Sequence, residues 1–156
     1  MNLPLMALVK QNFLGEHIKN IEEEVLCQLK DAGLHNRIQA GQKIGITAGS
    51  RGITDIVRIL HTVVKAVKDT GACPVLIPSM GSHGGGTTEG QLAILHKLGI
   101  DAKSVEAEIW PETNTNVVGY MKNSIPIRVN KAAQECDGII VINRVKPHTS
   151  FHGPVE

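Results

Sequence analysis

Apolar residues recur at helical spacing in three long stretches, with short continuous apolar runs between them. EHIKNIEEEVLCQLKDAGL (16–34) puts Ile18, Ile21, Val25 and Leu29 on one helical face, and Gly33 is a natural stop. A short strand-like stretch precedes it. QKIGITAG (42–49) is an apolar run of strand length. TDIVRILHTVVKAVKDTG (54–71) predicts a second helix, capped by Thr54 and ended at Gly71. CPVLIPS (73–79) reads as a buried strand, and TTEGQLAILHKLGI (87–100) as a helix opening on a Thr-Glu start signal.

The rhythm then changes. VEAEIW, NVVGYM and IPIRVN are short strand candidates within 105–130, separated by the turn residues Pro111 and Asn123-Ser124. They suit a small hairpin or an edge excursion. KAAQECD (131–137) is a short helix leading into a last strand, GIIVINRV (138–145). Strands alternating with helices imply an α/β fold: a doubly wound, mostly parallel sheet with helices on both faces. The strand order is not contained in the pattern. No linker or low-complexity segment divides the chain, so residues 1–156 are expected to form a single domain.

Composition narrows the function by exclusion. Sixteen Lys and Arg against 15 Asp and Glu leave a formal charge of +1, with no basic run to favour nucleic acid or an anionic membrane. Cys27, Cys73 and Cys136 are odd in number and without a CxxC, which fits a reducing compartment better than disulfides or structural zinc. Cys27 and Cys136 fall in expected helices, where a buried thiol acts as a small hydrophobe. No apolar stretch reaches membrane-spanning length and MNLPLMALVKQNFL lacks a signal-peptide cleavage pattern, so the expected location is cytoplasmic.

Polar clusters follow three of the expected strands. The first is Gly49-Ser50-Arg51-Gly52, the second Gly81-Ser82-His83-Gly84-Gly85-Gly86-Thr87, and the third Lys146-Pro147-His148-Thr149-Ser150-Phe151-His152. Open α/β sheets bind ligands outside the carboxyl ends of their strands, where all three clusters would then lie. The glycines lack the spacing of the ATP loop and of the dinucleotide fingerprint; a flexible turn and a ligand-hugging loop both remain open. His83 and His148 are the candidate acid–base pair, because imidazole titrates near working pH. Arg51 offers a fixed fork for a carboxylate or phosphate, against the plainer reading of a surface ion pair. Lys146 is either a second anion contact or a solvated side chain. Ser50, Ser82 and the amides of Gly84, Gly85 and Gly86 would shape the pocket. His148 and His152 have the spacing of a zinc-protease helix. However, Pro147 precedes them, Gly153-Pro154 follows, and no Glu stands beside the first, so His152 receives no role. His17, His35, His61 and His96 sit in or near helices and carry no assigned chemistry. Trp110 and Tyr120 are read as covering core or a hairpin face.

AGSRGI (48–53), PSMGSHGGGTTEGQ (78–91) and NRVKPHTSFHGPVE (143–156), in that order and spacing, resemble the N-terminal domain of the nickel-dependent lactate racemase family. The resemblance implies a two-domain enzyme with its active site between domains, of which this chain is the N-terminal part and the C-terminal domain is the partner. It implies racemisation or epimerisation of a small 2-hydroxy acid by reversible hydride transfer to a nickel pincer nucleotide, with His83 and His148 as the two acid–bases and Arg51 on the anionic groups. Homo-oligomers are compatible with it; nucleic acid and membranes are not expected partners.

Departures are also visible. The family's Asp-x-Thr-Arg is here Ala48-Gly49-Ser50-Arg51, and its Gly-Thr-His-Arg is Gly81-Ser82-His83-Gly84. Both changes point away from lactate itself. The cofactor-attaching lysine and nickel-binding histidine of the family follow the second histidine and have no counterpart here. The resemblance therefore implies no metal ligand in this chain, no bound cofactor, and no turnover by the chain alone. Two other classes stay open on local features: a metal-dependent hydrolase or lyase using the same histidines, and a non-catalytic phosphate- or nucleotide-binding module.

Overall fold

A computed structural model describes residues 7–10, 15, 17–122, 124–145 and 152–153. Lys146 and His148 therefore lie outside the described residues, as does most of the expected N-terminal strand; residues 7–10 carry no regular structure.

The helices are α1 (Ile21–Asp31), α2 (Leu34–Arg37), α3 (Ile56–Asp69), α4 (Thr88–Lys97), α5 (Ala102–Val105) and α6 (Lys131–Gln134). The strands are β1 (Lys43–Ala48), β2 (Cys73–Pro78), β3 (Glu108–Ile109), β4 (Thr115–Tyr120), β5 (Pro126–Asn130) and β6 (Gly138–Ile140), with a 3-10 turn over His83–Gly86. Four strands make one parallel sheet in the order β3-β2-β1-β6, while β4 and β5 form a separate antiparallel pair. The mixed α/β architecture and the 105–130 excursion are thus as the sequence implies.

Strand alternation sorts the side chains by face. Ile44, Ile46 and Ala48 of β1 join a core with Leu60, Val64 and Val67 of α3 and Leu95 of α4. Val25 and Leu29 pack α1 against the same core. The opposite face carries Gly45 and Thr47. A Cβ at Gly45 would lie 2.6 Å from the end of Ile139, 2.7 Å from that of Ile77 and 3.2 Å from Cys136 Sγ, so this side is closed by β6, β2 and the segment after α6.

Several boundaries differ from expectation for local reasons. The first helix starts later, at Ile21, because Asn20 caps it by accepting from Glu23 N. Thr54 does not cap α3. Asp55 holds that position at φ 57 with no side-chain cap bond, its carboxylate turned 3.7 Å from Arg58 instead. Val105 belongs to α5, and only Glu108–Ile109 of VEAEIW pairs into the sheet. Cys27 is exposed, since α1 faces the core with Val25 and Leu29. The last strand ends at Ile140, five residues early: Ile142 N donates to Thr47 Oγ1 at 2.9 Å, and a side chain replaces the next ladder bond. Among the described residues no helix is long and apolar enough to cross a membrane.

Candidate functional site

Strand order now locates the sequence clusters. From β1 the chain moves to β2 and β3 on one side, then returns to place β6 on the other. The order therefore reverses between β1 and β6, and a parallel sheet opens a crevice outside its carboxyl ends at such a point. A cavity of about 150 Å³ lies there. Ser50 and Arg51 reach it from the end of β1, Ser79 and His83 from the end of β2, and Asn143 and Arg144 from beyond β6. A larger, more apolar groove of about 260 Å³ lies at the other end of the strands, near Gln42 and Gly138. It holds no histidine, and no cluster from the sequence reaches it.

The central contact is between Ser50 Oγ and His83 Nδ1, 2.5 Å apart and thirty-three residues apart in sequence. A hydroxyl can accept from Nδ1–H or donate to a bare Nδ1, so Ser50 matches either protonation state of the ring. His83 is exposed, leaving Nε2 accessible to a ligand. Backbone geometry makes the contact possible. Gly81, Gly84, Gly85 and Gly86 all have positive φ, between 58° and 70°, a region that other residues adopt at a cost. The loop thus folds back as a tight turn before Thr87, whose side chain caps α4 by accepting from Gly90 N.

The cavity's charge has one sign. Arg51 and Arg144 both line it, no Asp or Glu does, and among the described residues neither guanidinium is in an ion pair. Arg144 is steadied by donating from Nη1 to the Gly52 carbonyl at 3.2 Å. Two forks beside a histidine and hydroxyls suit an anionic ligand with a carboxylate.

Of the residues singled out from sequence, Ser50, Arg51 and His83 come together. Ser82 is exposed, and with Gly84, Gly85 and Gly86 it stands in the same loop without lining the cavity. His152 is exposed and is likewise not part of the lining. Asn143 and Arg144 are not marked as site residues by the sequence pattern, because the apolar run that predicts the last strand extends through them. Ser79 was missed as the strand's own final residue. A metal finds little here: among the described residues no three of His, Cys, Asp and Glu cluster to hold one. The donor set, two guanidiniums with hydroxyls and one imidazole, suits an anion.

Residues 7–153 match the family model for the lactate racemase N-terminal domain. No curated protein and no solved structure matches the chain.

Proposed function

The chain belongs to the lactate racemase N-terminal domain family, and on that premise we propose that it supplies the proton-transfer and anion-binding wall of a racemase or epimerase of 2-hydroxy acids. The observation that carries the reading is the Ser50–His83 pair at the mouth of a cationic cavity on the switch point of the sheet.

In this reading Arg51 and Arg144 hold the substrate carboxylate, which fixes C2 and its hydroxyl near the histidine loop. His83 Nε2 takes the hydroxyl proton as the alcohol becomes a ketone and returns it in the reverse direction. Ser50 accepts from Nδ1–H while the ring is an imidazolium. His148 is proposed on resemblance alone as the matching acid–base for the other enantiomer, and Lys146 as a further anion contact. The resemblance also implies a nickel pincer nucleotide, which when bound would supply a hydride acceptor. The part of the reaction proposed for the described residues is proton transfer and anion binding. The departures at Ala48, Ser50, Ser82 and Gly84 favour a hydroxy acid other than lactate.

The test is full-length protein, purified with its natural cofactor content and assayed for loss of optical activity over a panel of 2-hydroxy acids. His83→Ala should lower turnover by about 10²-fold or more. Racemisation at an unchanged rate would remove His83 from the mechanism.

A further inference from the structure

Two residues that do not line the cavity hold the histidine loop from behind. Gln91, in the first turns of α4, is only 4% exposed, and its Nε2 donates to the Gly81 carbonyl at 3.0 Å. That carbonyl lies two residues before His83. Gln91 Oε1 is buried without a partner, an arrangement that folding alone disfavours. An apolar side chain of the same size would avoid it, so the amide's value lies in what its donor restrains.

The second residue is Gly90. It stands inside an α-helix, where glycine is disfavoured, and its φ is not among the positive ones. Conformation therefore does not explain it, but packing does. A Cβ built on Gly90 would overlap the carbonyl oxygen of Gly84, and one built on Gly84 would overlap the backbone of Gly90. Helix and loop meet backbone to backbone, immediately after His83. Thr87 closes the same contact by donating to the Gly84 carbonyl at 3.2 Å.

We propose that Gln91 and Gly90 are positioning residues for His83, clamping the loop on both sides of the histidine so that Nδ1 stays on Ser50 and Nε2 faces the cavity. The clamp presupposes that His83 is the acid–base, as proposed above. Its own geometry is independent of the substrate. Gln91 fixes the loop before His83 through Gly81, and Gly90 fixes it afterwards through Gly84. Between these two points only the Ser82–His83 segment is left to place the ring.

The experiment uses Gln91→Leu and Gly90→Ala in the full-length protein. Gly81 is exposed, so in Gln91→Leu its carbonyl can turn to water and the fold should persist. Two readouts are taken. One is the ¹⁵N shifts of the His83 ring, which report the tautomer and the Ser50 contact, with Ser50→Ala as reference. The other is kcat and KM on the best hydroxy acid. The expected result is that both variants move the His83 signals toward those of Ser50→Ala. Turnover should fall at least about tenfold, with KM within about twofold, because a displaced ring loses reaction geometry before it loses ligand. Unchanged ring signals in a folded Gln91→Leu protein would overturn the proposal, whatever happens to activity. If no hydroxy acid is racemised by the parent protein, the racemase reading fails while the ring signals still decide the clamp. Should Gly90→Ala unfold, Gln91→Leu decides alone.

Discussion

Arg51 and Arg144 do different work although both face one cavity. Arg144 is already engaged with the Gly52 carbonyl, whereas Arg51 has no hydrogen bond or ion pair among the described residues. A charged fork that lines an open cavity and has no partner among the described residues is ready to bind, and its loss should weaken substrate binding more than chemistry. Arg51→Met is expected to raise KM for a 2-hydroxy acid by about 10- to 100-fold, given roughly 1.5–3 kcal/mol for a hydrogen bond to a charged group. Arg51→Lys should recover only part of that, since an ammonium cannot match a carboxylate bidentately. Steady-state kinetics on full-length protein check it; an unchanged KM would place the carboxylate elsewhere. Ser50, Arg51 and His83 were legible in the sequence because polar residues directly after apolar runs mark strand ends. Gln91 was not, because only tertiary packing shows that a polar residue on a helix face is buried under a loop.

The helices are anchored by carboxylates at their ends, and this makes the fold acid-sensitive. Glu22 joins α1 to α3 through a two-point contact with Arg58, at 2.8 and 2.7 Å. That hydrogen bond holds its carboxyl below the ordinary value of 4.5. Asp101 caps α5, and the backbone N–H of Ser104 is the main cause of its depression below 3.8. Glu112 is lowered chiefly by the backbone N–H of Asn114, in the segment leading to β4. Each folded-state carboxyl is depressed, so each favours the folded state when ionised. That contribution is complete above the unfolded values and is lost as pH falls through the depressed ones. The thermal midpoint should therefore stay level down to about pH 5 and decline below about pH 4.5, with added salt blunting the decline because none of the three groups is buried. A midpoint that rises on acidification would contradict this. Helix positions were readable from periodicity, and α4 opens on the expected Thr87 signal, but the starts of α1 and α3 were not readable. The cap of α1 is Asn20, inside what looked like continuous helix, and α3 begins after an Asp55 whose left-handed backbone no spacing rule anticipates.

Assembly of the site depends on β6, an edge strand of three residues and the one most distant in sequence from its neighbour. Gly138–Ile140 pairs with Ile44–Ile46 over only three positions. Such a strand needs fastening at both ends, and it has it. At its start Asp137 Oδ2 accepts from Lys43 N at 2.7 Å, and Asp137 N donates to Lys43 O at 2.8 Å. At its end Thr47 Oγ1 accepts from Ile142 N at 2.9 Å and donates to Ile142 O at 3.2 Å, closing a loop of ninety-five residues. Periodicity could propose a strand at 138–145 but could not show that a threonine side chain ends its ladder early, nor that it pairs with β1 rather than β3. Both are long-range facts. The second of Thr47's bonds stands directly before Asn143 and Arg144, so this pin delivers the third wall of the cavity. Thr47→Val keeps the side chain's shape and removes both bonds, leaving Ile142 N–H without its partner. A loss of about 1–3 kcal/mol is expected, read as a lower urea midpoint. Amide exchange at Ile142 should accelerate by about tenfold or more while Ile46, at the centre of the sheet, keeps its protection. Thr47→Ser, which retains the hydroxyl, should restore slow exchange at Ile142. Exchange at Ile142 as slow in Thr47→Val as in the parent would show that β6 is held by the sheet itself, and that Arg144 reaches the cavity without the pin.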